Sequence, residues 1–594
     1  MTQETKVVLN LKQLWLHIDR TRKFQFFGLF CAMVVMSALE LLTLASILPF
    51  LGALTVPEIV FEHSIAKPLV NAFRIDTPND LILPMTILFC LSAILAGIWR
   101  LLILWVSTKY SYALGADFGR KIFKDILHQP YIYHKNKNSS EIISVITIKI
   151  DHVVNSVIFQ ILAMLVSIAI AFSIILALIL ISLKITIISS LSFMIIYSLI
   201  FKFERQKVWE KSELISKNAT RIVKILSESR GNIKDIILDS NQKLYQNKFR
   251  FADVPMRNAQ VYHQFIGQAP RYLIEALGIV IIAIIAYIQI KDSGHSKEVI
   301  PILGAFALGA QRLLPAAQQI FAAITNINGR HASLRDLLTF LGEKEENQSN
   351  QTSNTELTFK KSIQLKNVDF SFNQNERKIL NNISLNIFSG ERVGIVGETG
   401  SGKSTIIDLL MGLLEPTAGS LLVDEKEVKN SALKCWWKHL SHVPQNIFLI
   451  DGTIQENVTL TEQKKDYEDI NLNFAIKIAQ LEKTVENLQD GLNTFVGERG
   501  ARLSGGEIQR IGIARALYKR KKLIILDEAT SALDVAIEKK IMNGIDKLTS
   551  KPTIIMIAHR VRSLINCDKI ILVERGSVKI LQSGTKQFND LTKN

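Results

Sequence analysis

Hydrophobic positions in the first half of the chain gather into six long blocks, at about 24–51, 81–107, 155–182, 185–203, 268–290 and 298–325. Each is close to the ~20 apolar residues that a helix needs to cross a bilayer. Six membrane-spanning helices are therefore expected. Only Ser182, Leu183 and Lys184 separate the third block from the fourth, so these two should form a tight helical hairpin. Between blocks two and three, and again between four and five, the helical pattern continues through mixed polar sequence at 117–128 and 205–248. Helices of that length should project well beyond the membrane into the cytoplasm.

The connection 52–80 carries Ile59, Val60, Ile65, Leu69, Val70 and Phe73 at near-helical spacing. That pattern suits a helix lying on the outer membrane surface, and equally an amphipathic packing helix. Near residue 345 the pattern changes. The stretch 345–355 is polar and reads as a linker, and a moderately polar half with short β-like runs follows. The expected organisation is an α-helical transmembrane domain over 1–340, a linker over 341–358 and an α/β domain over 359–594.

Composition supports the membrane reading. Of the 594 residues 48% are hydrophobic, and the mean hydropathy is +0.21. That excess needs a sink larger than a globular core. The net charge of +16 is placed beside the apolar blocks. Lys6, Lys12, Arg20, Arg22 and Lys23 precede the first, and Arg120, Lys121, Lys124, Lys135, Lys137 and Lys149 lie between the second and third. Both segments should be cytoplasmic, while 52–80 and 291–297, poor in positive charge, should face outward. An even number of spans then returns the second half to the cytoplasm. Cys31, Cys90, Cys435 and Cys567 show no paired or metal-ligand spacing and read as reduced thiols. No signal-peptide pattern precedes the first block, which is expected to remain as an anchor.

The chemistry lies in the second half. Gly397, Glu398, Thr399, Gly400, Ser401, Gly402, Lys403 and Ser404 match GxxxxGKS/T, between the strand-like 392–396 and an apolar helical run from Thr405. This is the context of a P-loop. The glycines let backbone N–H groups curl around phosphate oxygens, and the helix N-terminus adds positive partial charge. Lys403 supplies a point charge to the terminal phosphates and Ser404 a hydroxyl for Mg²⁺. About 120 residues later, 522–528 reads as a buried strand ending in Asp527 and Glu528. Asp527 is placed to hold Mg²⁺ and Glu528 to polarise an attacking water.

Between these lie Leu503, Ser504, Gly505, Gly506 and Glu507, ahead of an amphipathic helix over 508–518. This LSGGE resembles the signature of ATP-binding-cassette proteins, and the rest of that family's set stands in order over roughly 360–590. The resemblance implies that Phe372 stacks on adenine, that Gln445 is the Q-loop glutamine contacting Mg²⁺ and the catalytic site, and that Asp534 belongs to the D-loop. It further implies that His559 is the switch histidine, and 496–500 resembles the short motif that exporters carry before the signature. In the family, Ser504 and Gly506 reach the P-loop of an opposing cassette. One cassette and six spans then imply two copies of this chain, a homodimer using ATP and Mg²⁺. ATP would hold the cassettes together and hydrolysis would release them.

The first half resembles the six-helix membrane domain of exporters, whose coupling helices would fall at 139–147 and 228–237. Segments 45–50, 231–235 and 312–315 resemble flippases of lipid-linked oligosaccharides. Charges inside spans are costly, about 2.5–3.5 kcal/mol or more at the centre, and are functional candidates. Arg312 and Arg100 are the candidates for a pyrophosphate, which a guanidinium binds bidentately. Glu40 is also placed to neutralise an arginine, and Arg271 and Glu275 to pair along one helix face. Related flippases carry a further arginine two turns beyond the Arg312 position; here that residue is Gln319. The expectation is a multi-pass protein of a bacterial cytoplasmic membrane. It would be an ATP-driven exporter of an amphipathic substrate, a polyprenyl-pyrophosphate glycan before another lipid, a peptide or a drug. An ATP-gated channel is disfavoured by the intact Glu528 and His559, and a nucleic-acid partner by the six spans.

Overall fold

The computed structural model describes residues 3–55, 57–62, 77–181, 183–293, 296–343, 357–372, 378–461, 469–557, 564–585 and 587; side chains at some helix positions, Arg312 among them, lie outside this description. It divides into two compact units, 1–129 with 134–345, and 130–133 with 346–594. The expected linker 345–355, and the outer-loop residues Ile65, Leu69, Val70 and Phe73, lie outside the described residues. Pro57–Glu62 is helical at the start of that loop.

In the first unit α1 (Gln3–Leu16) precedes six long helices at the six apolar blocks. These are α2 (Arg20–Thr55), α3 (Ile82–Leu127), α4 (Phe159–Ile181), α5 (Leu183–Gly231), α6 (Gln242–Ser293) and α7 (Ser296–Gly329). A short α8 (His331–Gly342) follows. Among the described residues Arg20–Leu54, Pro78–Leu127 and Ser139–Ile179 are long and apolar enough to cross a membrane. The helical pattern at 117–128 is the end of α3. That at 205–248 is broken, because α5 stops at Gly231 and Ser240 takes a left-handed φ of 54° before α6 begins.

The structure describes both of the turns that the sequence places on the cytoplasmic side. Ile233–Leu238 forms a short helix overlapping the expected 228–237. A further short helix is Tyr131–Asn136, and the expected 139–147 is helical through Ser139–Ser144 and into a π-turn. Asn138 caps the next helix, its side chain accepting from the Ser140 N–H at 3.0 Å, so 139 onward already begins the third long element. That element enters through Ser139–Ser144 and two π-turns, Val145–Lys149 and Val154–Ile158. The first π-turn carries Lys149, which is buried and donates to Asp336 of α8 at 2.6 Å. Ser216 of α5 donates to the same carboxylate at 2.7 Å. Burial alone would raise the Asp336 carboxyl, but these hydrogen bonds outweigh it and hold it below its usual range.

Proline shapes α6. Pro270 lies inside the helix, where a missing N–H and the ring open the preceding turn. Gln318 of α7 answers this by donating to the Gly267 carbonyl oxygen at 2.5 Å.

The second unit carries two sheets. β1 (Ser362–Phe370), β2 (Leu380–Phe388), β4 (Ala418–Val423) and β5 (Lys426–Glu427) make an antiparallel sheet in the order β2-β1-β4-β5. The larger sheet has the order β10-β9-β3-β8-β7-β6. Its strands are β3 (Arg392–Gly397), β6 (Leu440–Val443), β7 (Leu523–Asp527), β8 (Thr553–Ile557), β9 (Lys569–Glu574) and β10 (Ser577–Gln582). Apart from the β9–β10 hairpin its pairs are parallel. β7 and β8 are continuous apolar runs because both sheet faces are covered. Trp436 anchors the core between the sheets, fully buried with its indole N–H donating to the Leu410 carbonyl oxygen at 3.0 Å.

Lys149→Met should leave the partly buried Asp336 with only the longer Arg335 contact, at 3.3 Å, and destabilise the first unit by about 3 kcal/mol. Thermal unfolding of the detergent-solubilised protein should show a lower midpoint. An unchanged midpoint would mean the ion pair holds nothing together.

Candidate functional site

Strand register brings the nucleotide residues together. Ile395 of β3 lies opposite Ile557 of β8, and Ile557 lies opposite Asp527 of β7. β7 and β8 therefore end at one level and β3 two residues beyond it, at the carboxyl edge where open α/β sheets collect ligands. Past Gly397 the chain turns through 398–402 into α9 (Lys403–Leu410). Gly400 and Gly402 have φ of 83° and 107°, and a Cβ on Gly402 would meet Leu380 Cδ2 at 2.7 Å. Only glycine takes that turn without strain.

No side chain caps α9. The first-turn N–H groups of Lys403, Ser404 and Thr405 are thus free for an anion. Lys403 Nζ lies along the loop, donating to the carbonyl oxygens of Gly397 at 2.7 Å and Glu398 at 2.8 Å. Ser401 Oγ is buried with no hydrogen-bond partner. An orphaned hydroxyl, a tethered ammonium and an uncapped helix start fit the phosphates of ATP.

At the end of β7, burial and then the neighbouring Glu528 charge push Asp527 up from the ordinary carboxylate range, while Lys403 pulls it back. A divalent cation would relieve this, and Ser404, Gln445 and Asp527 are the residues that would hold Mg²⁺. Glu528 sits at φ 51°, an uncommon conformation outside glycine that concentrates at functional positions. Its N–H donates to the Ile557 carbonyl oxygen at 3.2 Å, and its carboxylate accepts from Gln445 Nε2 at 2.7 Å. The structure thus joins two residues that the sequence picked independently. His559 lies outside the described residues.

The signature opens α10 (Gly505–Tyr518). Ser504 is its N-cap in a capping box: the Glu507 N–H donates to Ser504 Oγ at 3.3 Å, and the Ser504 N–H to the Glu507 carboxylate at 2.8 Å. Ser504 and Gly505 are exposed and Gly506 half-buried. Gln509 binds this helix to the D-loop, donating to Ser531 Oγ at 2.9 Å and accepting from the Ala532 N–H at 2.8 Å. The sequence reading passed over Gln509; its amide on an otherwise apolar helix face was the available signal. Asp534 caps α11 (Val535–Asp546), accepting from the Ile537 N–H at 2.8 Å. Phe372 is partly buried and meets Phe370 edge-to-face at 5.1 Å.

In the first unit Arg100 is hydrogen-bonded to Glu40, which is fully buried. Arg100 therefore compensates a buried carboxylate, the neutralising role the sequence left open. A cavity of about 710 Å³ is walled by α4, α6 and α7. Seven of its thirteen lining residues are amides and none is a carboxylate. Gln260, Gln264 and Gln268, at spacing four, share one face of α6 with Arg271. Sequence reasoning missed this site, although glutamines repeating every fourth residue up to and into an apolar block were its signal.

The sequence profile described as ABC transporter matches residues 380–531, and that of the ABC transporter transmembrane region matches 58–296. A putative export ATP-binding/permease protein of Rickettsia felis is 30% identical over 70% of this chain and 70% of its own. The chain is an ABC transporter. An ATP-dependent lipid A-core flippase 1 of Colwellia psychrerythraea is 29% identical, over 80% of this transporter and 79% of that protein. Against other curated relatives the match spans only 40%, 38% and 34% of their length. The solved structure of a bacterial Atm1-family ABC exporter with ATP bound has the same fold, with a TM-score of 0.74 at 20% identity and 97% coverage of both chains. The fold class is thus the expected one, a helical exporter-type membrane domain followed by a nucleotide-binding cassette.

Lys403→Ala should reduce nucleotide affinity at least tenfold, measured by binding of a fluorescent ATP analogue to the transporter in detergent. Affinity equal to wild type would mean the ammonium does not face the phosphates.

Proposed function

We propose that this transporter is an ATP-driven flippase, working as a homodimer in a bacterial cytoplasmic membrane and carrying a lipid-linked oligosaccharide outward. The observation that carries the reading is the pairing of a nucleotide site with an amide-lined cavity walled by helices of the membrane domain. Binding sites for apolar drugs are lined mostly by hydrophobic and aromatic side chains. This lining has Tyr272 as its single aromatic and is otherwise amides, His263, two arginines and two small residues. A large polar head on a lipid fits it better than a drug does, and the relative named a lipid A-core flippase supports a lipid-anchored cargo.

The motor follows from residue chemistry. Ser404, Gln445 and Asp527 hold Mg²⁺, Lys403 and the P-loop N–H groups bind the phosphates, Phe372 stacks on adenine and Glu528 orients the attacking water, with His559 completing the set. Ser504, Gly505 and Gly506 present an outward-facing helix start to the P-loop of a second copy. Arg312 is assigned, with the cavity, to the pyrophosphate of the cargo.

Reconstituted in liposomes, the wild type should flip a pyrophosphate-linked polyprenyl oligosaccharide when ATP is supplied. Glu528→Gln should bind ATP but turn it over at least a hundredfold more slowly and flip nothing. Normal turnover in that variant would remove Glu528 from its role. Wild-type ATPase stimulated only by a different lipid or a peptide would keep the motor and discard the saccharide.

A further inference from the structure

Gln509 stands in the second turn of α10 and is buried. A buried amide is stable when both its donor and its acceptor are spent. Gln509 spends both on one neighbour, donating to Ser531 Oγ at 2.9 Å and accepting from the Ala532 N–H at 2.8 Å. Both partners belong to the turn that follows Glu528. That turn hangs from Glu528 itself, because the Ser531 N–H donates to the Glu528 carbonyl oxygen at 3.2 Å. The Glu528 N–H is held in turn by the Ile557 carbonyl oxygen of β8, at 3.2 Å. One amide thus connects the signature helix to the backbone that aims the Glu528 carboxylate.

The helix start and the turn also touch directly. A Cβ on Gly505 would lie 3.8 Å from the Ala532 Cβ, and one on Gly506 3.4 Å from the Ala532 carbonyl oxygen. Such contact resists approach, but it resists sliding and separation only weakly. Hydrogen bonds depend steeply on distance and angle, so the two from Gln509 fix the turn against the helix in both senses. On the outer side, Ser504, Gly505, Ser531, Ala532 and Asp534 are exposed. The surface that the cassette offers to a second copy therefore includes the helix start and the turn together, with Gln509 buried behind them and Glu528 at the root of the turn.

We propose, resting on the homodimer reading, that Gln509 is a positioning residue for ATP hydrolysis. It makes the signature end of α10 and the turn after Glu528 one rigid piece. Engagement of the signature by the second copy's nucleotide then sets the Glu528 carboxylate of this chain, and hydrolysis at one site depends on nucleotide at the other. Gln509 acts only through these neighbours, so ATP binding at the P-loop of its own chain does not need it.

The test uses the full-length transporter in lipid nanodiscs. ATPase rate is followed against ATP concentration, and affinity for a fluorescent ATP analogue is measured without Mg²⁺. Wild type should be a dimer with a Hill coefficient above one. Gln509→Met keeps the length of the side chain and loses both hydrogen bonds. Its kcat should fall about tenfold and its Hill coefficient should drop to one, with analogue affinity within about twofold of wild type. Should that variant fail to fold, Ser531→Ala, at an exposed position, removes one of the two bonds. It should lower kcat about threefold and lower the Hill coefficient with it.

A dimer in which these variants keep the wild-type kcat and Hill coefficient overturns the inference and leaves the homodimer standing. The same holds for a wild type with a Hill coefficient of one. A fall in kcat with an unchanged Hill coefficient reduces Gln509 to a local brace and overturns the coupling. Analogue affinity that falls in step with kcat shows general damage to the cassette and overturns the positioning role. A wild type that hydrolyses ATP as a monomer overturns the homodimer reading and the inference with it.

Discussion

The cassette depends on the in-register parallel pairing of β3, β8 and β7. Side chains on a strand alternate faces, so a slip of one residue would turn every inward group outward. Ile395, Ile557 and Asp527 are matched across the three strands, and Gly397 lies two residues past that level, where β3 still pairs with β9. From that alignment the P-loop, the Asp527–Glu528 pair and the backbone bond from Glu528 to Ile557 follow. The left-handed backbone at Glu528 is then a local cost borne by a sheet whose strands are buried on both faces. Gln445 reaches Glu528 because β6 pairs with β7 and delivers the loop that carries it.

The membrane unit obeys a different constraint, that polar groups away from water must find partners within the protein. Glu40 finds Arg100, Lys149 finds Asp336, and the carbonyl beside Pro270 finds Gln318. These pairings join helices distant in sequence and leave little polar chemistry unspent. Against that background the amides and arginines of the cavity stand out, because the same accounting does not close there. Arg330 Nη1 and His263 Nε2 are both buried without partners. A site that remains unsatisfied in the protein alone is one that a polar ligand satisfies.

Most of the cassette was legible in the sequence because its chemistry is carried by contiguous motifs. A P-loop needs its glycines within eight residues, and a capping box places Ser504 and Glu507 three apart by helix geometry alone. The six long helices were legible because each carries an apolar block close to the ~20 residues that a bilayer crossing needs. What the sequence hid depends on cap chemistry and on long-range pairing. The start of the third long element was not legible in the hydrophobic pattern because Asn138, a single capping residue, decides it. The two π-turns that aim Lys149 at Asp336 leave no trace in hydrophobic period. Arg100 and Arg312 looked alike as charges inside spans, and only the contact with Glu40 distinguishes the first. The cavity was overlooked because glutamine carries no charge to flag it.

The difference between Gln319 and the arginine of related flippases can be seen in the same light. An arginine in that position would sit within the apolar block, where its desolvation must be offset by a bound anion at all times. An amide there is cheaper to hold and is satisfied meanwhile by Gln160. The guanidiniums that line the cavity are instead Arg271, near the start of the fifth block, and Arg330, just past the sixth.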